Sequence, residues 1–305
     1  MRLIHEYAVD PGSLTDWRSI RTLADKVGVP KGRIIARLPK TWFRDLYDRF
    51  ATVSVIENAN LEKALRRLER SVLPTGRAKK LRASTWLETA EDEHRQRPFR
   101  AIIAAENPRS HPAIVPLEDL NEDHERWEAQ RELPLAREGD VWVDAIKLLL
   151  TSCSELMFID PHFKPDASRY QRTLKALCVA ATSNNSRLTK IEYHVESKGD
   201  PGFFESACQK DIPFLVPQGV DLEVVLWSCK AGGQDFHARY VLTNHGGIRF
   251  EQGLDDSKST TSTTDVSLLD EVLYKRRRTD FTAGDPDCAF TKVHSFIIKG
   301  QRSRS

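Results

Sequence analysis

The chain contains 305 residues, 40% of them hydrophobic and 30% charged, and its formal net charge is +2. This composition is typical of a globular protein of about two domains. No apolar run approaches the roughly 18 residues that a membrane-spanning helix requires, so we expect no membrane partner.

The cysteines favour a reducing compartment. They are odd in number and widely separated, and none lies in a Cys-x2-Cys pair, which disfavours both a zinc site and a disulfide framework. The first residues, MRLIHEYAVD, lack the apolar core of a secretion signal. We therefore expect a cytoplasmic protein. The five residues are Cys153, Cys178, Cys208, Cys229 and Cys288.

Charge is distributed unevenly along the first half of the chain. Residues 31–82 carry 14 Lys/Arg and 5 Asp/Glu, whereas residues 88–144 carry 7 and 15. Such blocks are typical of a segment that faces a polyanion next to an acidic segment. The alternative is that the two blocks neutralise each other within one domain.

Residues 1–135 are predicted to form a mostly helical, basic domain. Ser13 or Thr15 can cap a first helix that ends at Gly28. Apolar residues recur at helical spacing in later segments, and Trp86 and Trp127 are expected in the core. The later helical segments are 41–50, 60–73 and 81–90, and the acidic run 118–132 is predicted to be a helix or a linker.

The segment LADKVGVPKGRIIARL resembles part of a helix-turn-helix, with a glycine turn before a second, short helix that Pro39 ends. Cations here are followed by an aromatic residue, Trp42, so the segment is a candidate DNA-binding surface. The alternative is a helical domain whose basic face contacts a partner protein or the acidic block. The candidate phosphate-binding cations are Lys31, Arg33, Arg37 and Lys40.

Residues 141–295 alternate between helical and strand-like segments. A predicted helix, 141–152, precedes a predicted strand, 155–160, and two further helix–strand pairs follow. Trp142 of this helix is expected in the core of the domain. This alternation predicts an α/β domain with a largely parallel sheet. The segment KVHSFIIK, residues 292–299, is predicted to be a final strand, and residues 296–305 are assigned to a flexible basic tail.

The stretch FHARYVLTNHGGIRFEQGLDD, residues 236–256, is predicted to be a hairpin with an Asn/Gly-rich turn. Residues two apart on a strand share a face, so His237 and Arg239 are expected to point the same way. A nucleophile or proton carrier beside a fixed cation suits phosphodiester chemistry, because charge develops on the phosphate oxygens.

This hairpin resembles the motif of the phospholipase D superfamily, which is His-x-Lys-x4-Asp, a glycine turn, a strand and Gly-Ser-x-Asn. The resemblance covers roughly residues 141–295 and is closest to the phospholipase D-like C-terminal domain of MIT-domain proteins. That variant also has a His-x-Arg strand and a Gly-Leu-Asp turn. The resemblance implies an αβα sandwich and a binding role. The corresponding residues are His237, Arg239, Asn244, Gly253 and Asp255.

Two departures from the motif bear on function. Arg239 replaces lysine and keeps the charge with a different geometry, whereas Asn244 replaces aspartate and cannot carry a negative charge. Catalysis in this superfamily needs two histidine motifs, one to attack phosphorus and one to protonate the leaving oxygen. The chain has one, so catalysis would require a homodimer that brings two copies of His237 together.

Two functions therefore stay open. One is a binding component that engages the phosphate of a nucleic acid, DNA in preference to RNA, or a partner protein. The other is a metal-independent dimeric nuclease with His237 as the nucleophile. A phospholipase D-like domain behind a helical domain also resembles accessory proteins of bacterial anti-phage systems, which implies partner proteins of a defence complex.

Several other residues are candidates for the same chemistry. Asp160 and His162 follow a strand and could line the same pocket as His237, but the sequence favours the alternative of a strand-to-loop turn set by Asp160-Pro161. The His162-x-Lys164 spacing fails as a second motif. Asp255 or Asp256 could accept a hydrogen bond from His237 or Arg239, or could simply satisfy turn amides. The last candidates are the phosphate-binding cations Arg276, Arg277 and Arg278, which could equally be a solvated surface run.

Familiar motifs of other chemistries are missing from the sequence. There is no Walker motif, no dinucleotide-binding glycine fingerprint, no His-Glu-x-x-His helix and no Gly-x-Ser-x-Gly elbow. We therefore expect neither a cofactor nor a catalytic metal.

Overall fold

The chain folds into two compact units. One comprises Ile4–Arg131, here the N-terminal unit, and the other comprises Met1–Leu3 with Glu132–Ser305, here the C-terminal unit. The computed structural model describes residues 1–50, 55–77 (the backbone alone for 55–58), 80, 83–121, 123–183, 185, 187–257, 259 and 261–302.

The N-terminal unit is an α/β unit and not the mostly helical domain predicted from the sequence. Its described residues form a parallel sheet with the strand order β3-β2-β1-β4-β5. The strands are β1 (His5–Val9), β2 (Arg33–Ala36), β3 (Val72–Leu73), β4 (Ala101–Ile103) and β5 (Ile114–Val115). The helices are α1 (Trp17–Lys26), α2 (Trp42–Arg49), α3 (Val55–Glu69) and α4 (Trp86–Gln96).

Helices cover both faces of this sheet. Tyr7 and Val9 of β1 pack in the core that α1, α2 and α3 share, and Trp127 lies in the same core. Ala8 faces the other way and packs in the core beneath α4, against which Trp86 is partly buried. Because residues alternate between faces along a strand, β1 is apolar on both sides and lies at the centre of the unit.

The predicted helix-turn-helix does not form. Its first helix is α1, but Val29–Lys31 makes only a single 3-10 turn, and the expected second helix is strand β2. Gly32 reverses the chain with φ 69°, a left-handed conformation that favours glycine. The apolar run RIIA is buried at every position, because β2 is covered on both faces of a parallel sheet.

A buried ion pair anchors the amino-terminal half of β1. The guanidinium of Arg77 donates to both carboxylate oxygens of Glu6, at 2.6 and 3.1 Å, and their side chains are only 1% and 6% exposed. Thr75 also donates to Glu6, and Arg77 donates further to the carbonyl oxygens of Glu93 and Arg97. The loop after β3 is thereby fixed to the sheet.

The C-terminal unit contains a mixed sheet with the strand order β13-β9-β8-β7-β10-β11-β12-β6 among its described residues. The strands are β6 (Glu132–Ala136), β7 (Glu155–Ile159), β8 (Lys190–Glu196), β9 (Asp221–Cys229), β10 (Arg239–Thr243), β11 (Gly247–Phe250), β12 (Thr263–Leu268) and β13 (Phe290–Lys299). The helices are α5 (Gly139–Ser152), α6 (Ser168–Thr182), α7 (Pro201–Asp211) and α8 (Glu271–Asp280).

The predicted α/β class of this unit is confirmed, with differences at both ends. Residues 132–136, expected to be the end of an acidic linker, pair as β6 with β12 at one border of the sheet. The predicted final strand 292–299 is confirmed as part of β13 alongside β9, so the assignment of residues 296–299 to a flexible tail is wrong. Residues 303–305 lie outside the described part of the chain.

Strand directions decide which loops meet in this unit. β7, β8 and β9 are parallel, whereas β10 runs antiparallel to β7 with Tyr240 opposite Ile159. The ends of β7, β8 and β9 and the start of β10 therefore lie at one edge of the sheet. We call it the carboxyl edge, and the edge where β7 begins and β10 ends the opposite edge.

We predict that Arg77→Met lowers the free energy of unfolding of the N-terminal unit by about 3 kcal/mol, because Glu6 loses its bidentate partner in a buried site. Hydrogen–deuterium exchange of the β1 backbone amides, analysed separately from that of the C-terminal unit, measures the effect. The matched control is Arg67→Met, whose pair with Asp25 is exposed and is expected to contribute less than about 1 kcal/mol. Equal losses in the two variants would contradict this interpretation.

Candidate functional site

The carboxyl edge is centred on the buried carboxylate of Asp160, the residue that follows β7. Asp160 is 0% exposed, and its two oxygens accept hydrogen bonds from the backbone N–H groups of His162 (2.9 Å) and Leu254 (2.7 Å). Burial raises the pKa of Asp160, and these two bonds and the positive charge of Arg239 oppose that effect. The carboxylate joins the loop after β7 to the loop after β11.

Arg239 begins β10 directly beside this carboxylate. Its Nε lies 4.0 Å from Asp160 Oδ1, which is beyond hydrogen-bond distance, and its side chain is 19% exposed. That Nε is buried and has no hydrogen-bond acceptor within the described part of the chain. The guanidinium is thus held by charge and packing, and it keeps donor capacity for another anion.

His237 lies two residues before β10, in a segment without regular structure, and not on a strand as predicted. Its side chain is exposed, whereas the neighbouring Phe236 is buried in an aromatic core and anchors the segment. The imidazole is therefore at the carboxyl edge and accessible to a ligand. Whether it serves as a nucleophile stays a prediction.

The Gly-Leu-Asp turn is built around Asp255. Its buried carboxylate accepts from Arg137 at 2.6 Å and pairs with Arg169 at 3.1 Å, so its partners are neither His237 nor Arg239 as the sequence suggested. A Cβ at Gly253 would lie 2.5 Å from Asp255 Oδ1 and 3.4 Å from Asp160 Oδ2. Glycine is required here because the chain passes between two carboxylates.

Asp256 has a structural role in the same turn. One of its oxygens accepts from the backbone N–H of Gly139 at 2.9 Å and from Thr173 Oγ1 at 2.7 Å, and the other accepts from Arg172 Nε at 2.7 Å. The side chain thereby joins the start of α5 to α6. It satisfies a helix-terminal amide and is not available to a ligand.

His162 and Lys198 extend the carboxyl edge beyond β7 and β8. Lys198 Nζ lies 3.2 Å from His162 Nδ1 and 2.8 Å from Glu196 Oε2. Burial lowers the pKa of His162, and the charges of Lys198 and Arg239 lower it further. A neutral His162 that accepts from Lys198 through Nδ1 carries its proton on Nε2 and can donate a hydrogen bond there.

Two buried tyrosine side chains pack next to the charged residues of this site. Tyr170 and Tyr193 are buried against Phe163, with ring centroids 5.7 and 4.2 Å from it. Burial raises the pKa of Tyr170, and the carboxylates of Asp160 and Asp255 raise it further. Both tyrosines are thus neutral packing groups beneath the charged layer.

Three cations of this site, Arg137, Arg169 and Lys198, were not predicted from the sequence. Arg137 and Arg169 were not recognised, because each precedes or begins a helix far along the chain from the hairpin. The signal that could have found Lys198 is its position two residues after β8, the place where Asp160 and His162 follow β7.

Asn244 does not belong to the site, which corrects the assignment from the motif. It lies in the turn after β10 at the opposite edge, and its Oδ1 accepts from the backbone N–H groups of Ser154 (2.8 Å) and Glu155 (3.3 Å). Five residues of extended chain separate it from Arg239, roughly 15 Å. Asn244 caps the start of β7.

The three arginines of α8 have carboxylate partners of their own. Arg276 and Arg277 pair with the buried Asp280 at 2.9 and 2.5 Å, and Arg278 pairs with Glu155 at 2.5 Å. Glu155 begins β7, so this last pair is at the opposite edge. These contacts argue against a free phosphate-binding cluster at Arg276, Arg277 and Arg278.

The candidate cations of the N-terminal unit do not share a helix face. Arg33 is 4% exposed, donates to the carbonyl oxygen of Trp127 at 2.8 Å and lies 4.7 Å from that indole ring, so it is a structural residue. Lys31 precedes β2 and Lys40 follows it, and both are exposed at its two ends. Arg37 is half-buried, with its guanidinium 6.0 Å from the Phe43 ring.

Comparison with known proteins assigns no family and no function to this site. Neither the scan against protein-family models nor the search of curated proteins finds a match to this chain. Within the described residues, no three His, Cys, Asp or Glu side chains are grouped as metal ligands, and no helix has both the length and the apolar character to cross a bilayer.

We predict that Asn244→Asp, which restores the aspartate of the superfamily motif, changes neither phosphate binding nor phosphodiesterase activity. The reason is that the side chain keeps its acceptor oxygen for Ser154 and Glu155 at the opposite edge. Oligonucleotide binding and cleavage assays on the variant test this. A gain of activity would show that the residue communicates with the carboxyl edge.

Proposed function

We propose that the C-terminal unit is a phospholipase D-like binding module that holds a phosphate group of a nucleic acid at its carboxyl edge. The observation that carries the proposal is Arg239. Its guanidinium is partly exposed and makes no hydrogen bond to another described residue, because the Asp160 carboxylate beside it lies 4.0 Å away, beyond hydrogen-bond distance. A phosphate can supply the missing acceptor.

Neighbouring groups suit the same ligand. The exposed His237 lies two residues before Arg239, and the Nε2–H of a neutral His162 is a further donor, with the ammonium of Lys198 behind it. Phosphate oxygens accept several hydrogen bonds at once, so a site with several convergent donors favours them over a single carboxylate. A phospholipase D-like sandwich is supported by the β10–β11 hairpin, the Gly-Leu-Asp turn and the mixed α/β sheet.

A metal-independent phosphodiesterase is the second candidate, and one observation favours it. His162 lies within the electrostatic reach of Arg239, so a second imidazole is present at the same edge of one chain, without a second copy of His237. Attack by His237 on phosphorus would require a protonated group to donate to the leaving oxygen. Burial and the charges of Lys198 and Arg239 lower the pKa of His162, so they disfavour the imidazolium form that would donate this proton, and binding is therefore the function we favour.

The structure weakens the proposal that the protein acts in an anti-phage defence complex. Its resemblance to anti-phage accessory proteins included a helical N-terminal domain, and that domain is an α/β unit. We therefore propose nucleic acid as the partner on the basis of the chemistry of the carboxyl edge.

We predict that Arg239→Ala weakens DNA binding by about 10-fold or more, because a charge-assisted hydrogen bond to phosphate contributes about 1.5–3 kcal/mol. The slope of log K against log salt should also fall by about one. Fluorescence anisotropy with labelled DNA, repeated at several salt concentrations, measures both. Arg239→Gln retains two donors and should bind with intermediate affinity.

The matched control is Arg276→Ala, which removes the same charge from an exposed position on α8 whose partner is Asp280. It should change affinity by less than about 2-fold, since a screened surface charge contributes little. Equal losses in Arg239→Ala and Arg276→Ala would indicate a general charge effect and would overturn the assignment of the site.

We predict that the protein, incubated with labelled DNA or RNA in EDTA, releases no cleaved product over the time in which binding is saturated. The reason is the missing proton donor described above. Gel analysis of the wild-type chain and of His237→Ala provides the measurement. Metal-free cleavage that disappears in His237→Ala would establish the phosphodiesterase instead of the binding module.

A further inference from the structure

One side-chain contact at the carboxyl edge connects two loops of the C-terminal unit. Lys198 Nζ, in the loop after β8, lies 3.2 Å from Nδ1 of His162, in the loop after β7. A lysine ammonium has three donors and no acceptor, so Nδ1 is the acceptor of this hydrogen bond. A neutral imidazole then carries its proton on Nε2. The opposite tautomer would place an N–H against the ammonium.

A carboxylate holds the ammonium in this position. Glu196 Oε2 lies 2.8 Å from Lys198 Nζ, and Glu196 is the last residue of β8. The Lys198 side chain is 57% exposed, so the ion pair contributes little to stability. An exposed lysine is otherwise free to take many rotamers. The pair therefore favours the rotamers that keep Lys198 beside His162.

The backbone of His162 is fixed as well. Its N–H donates to Asp160 Oδ1 at 2.9 Å. Its imidazole is exposed, and no side chain or carbonyl of the described part of the chain bonds to Nε2. The Nε2–H is therefore a donor that a ligand can reach.

Four charged groups act on this imidazole. Lys198 and Glu196 approach it from the end of β8, Arg239 from the start of β10 and Asp160 from the end of β7. Burial lowers the pKa of His162 and the two cations lower it further, whereas the two carboxylates raise it. The protonated ring is disfavoured, so the tautomer set by Lys198 is the form present near neutral pH.

We propose that Lys198 is a positioning residue of the phosphate site, which keeps the Nε2–H of His162 as a neutral donor to the phosphate that Arg239 binds. This inference rests on the proposed function, because the phosphate is the ligand proposed there. Lys198 acts through His162, so its removal should change how binding responds to pH and not only the strength of binding.

The first test follows His162 without any ligand, by NMR of the imidazole nitrogens of the nitrogen-15-labelled chain over a range of pH. The signal is identified by its absence from His162→Gln. The wild-type ring should be protonated on Nε2 at neutral pH. In Lys198→Met, the ring should become a mixture of tautomers with a higher titration midpoint, since the donor to Nδ1 and a nearby cation are both lost. Lys198→Arg retains a charged donor and should restore the wild-type pattern.

The matched control is Lys164→Met, which removes the same charge from the loop of His162 itself. Lys164 is exposed, its side chain has no hydrogen bond or ion pair among the described residues, and its charge does not act on His162. The tautomer and the titration midpoint should stay as in the wild type. Equal changes in Lys164→Met and Lys198→Met, or a wild-type ring protonated on Nδ1, would overturn the inference.

The second test measures DNA binding at about pH 8 and about pH 6, on either side of the ordinary histidine pKa. Lys198→Met should gain about 3-fold more affinity on acidification than the wild type, because its His162 becomes a charged donor. Both chains keep the exposed His237, so the titration of that residue cancels in the comparison. The readout is the difference in pH response, since loss of a cation weakens DNA binding at every pH.

The outcomes separate this inference from the proposed function. If Lys198→Met alters the His162 signal but responds to pH as the wild type does, His162 does not donate to the phosphate. The inference is then wrong, and the phosphate site stands as long as Arg239→Ala weakens binding. If the wild-type chain binds no DNA, the proposed function fails and the inference fails with it, even where the ring is protonated on Nε2.

Discussion

The site depends on how the buried carboxylate of Asp160 is satisfied. A buried carboxylate is costly unless hydrogen bonds or an opposite charge compensate it. Here two backbone N–H groups do so, from His162 and from Leu254, which lies 94 positions along the chain. Arg239 adds a compensating positive charge at 4.0 Å and donates no hydrogen bond to this carboxylate. Its donors are thereby left for a ligand.

The same arrangement explains the Gly-Leu-Asp turn. Gly253 lets the chain pass close to both carboxylates, Leu254 supplies an amide to Asp160, and Asp255 holds Arg137 and Arg169 in place. Asp256 then joins the turn to α5 and α6. The turn is a structural support that positions the cation of the neighbouring strand, and it is not itself a source of catalytic groups.

The sequence predicted the hairpin and the α/β class of the C-terminal unit because both depend on local patterns, a glycine turn and alternating strand and helix segments. It failed for the N-terminal unit, whose strands are two to five residues long. Apolar runs as short as RIIA have no readable period, and only the pairing of β2 with β1 decides that they are strands. The contact between Arg239 and Asp160 joins distant residues, so no local pattern reveals it.

The charge blocks have a similar explanation. Arg77, from the basic block, pairs with Glu6 inside the N-terminal unit and lies 3.9 Å from Glu93 of the acidic block. Arg33 is buried against Trp127. These contacts favour the alternative in which part of the basic block is neutralised within the unit.

The central claim is that the partly exposed guanidinium of Arg239 is available to phosphate, and the Nε–H signal of this side chain reports ligand binding most directly. Arginine side-chain NMR of the nitrogen-15-labelled protein, titrated with oligothymidylate, follows that signal alongside those of Arg276, Arg277 and Arg278. The account predicts a saturable shift of the Arg239 Nε resonance, with the α8 signals unchanged. A titration that shifts the α8 signals and leaves Arg239 unmoved would contradict it.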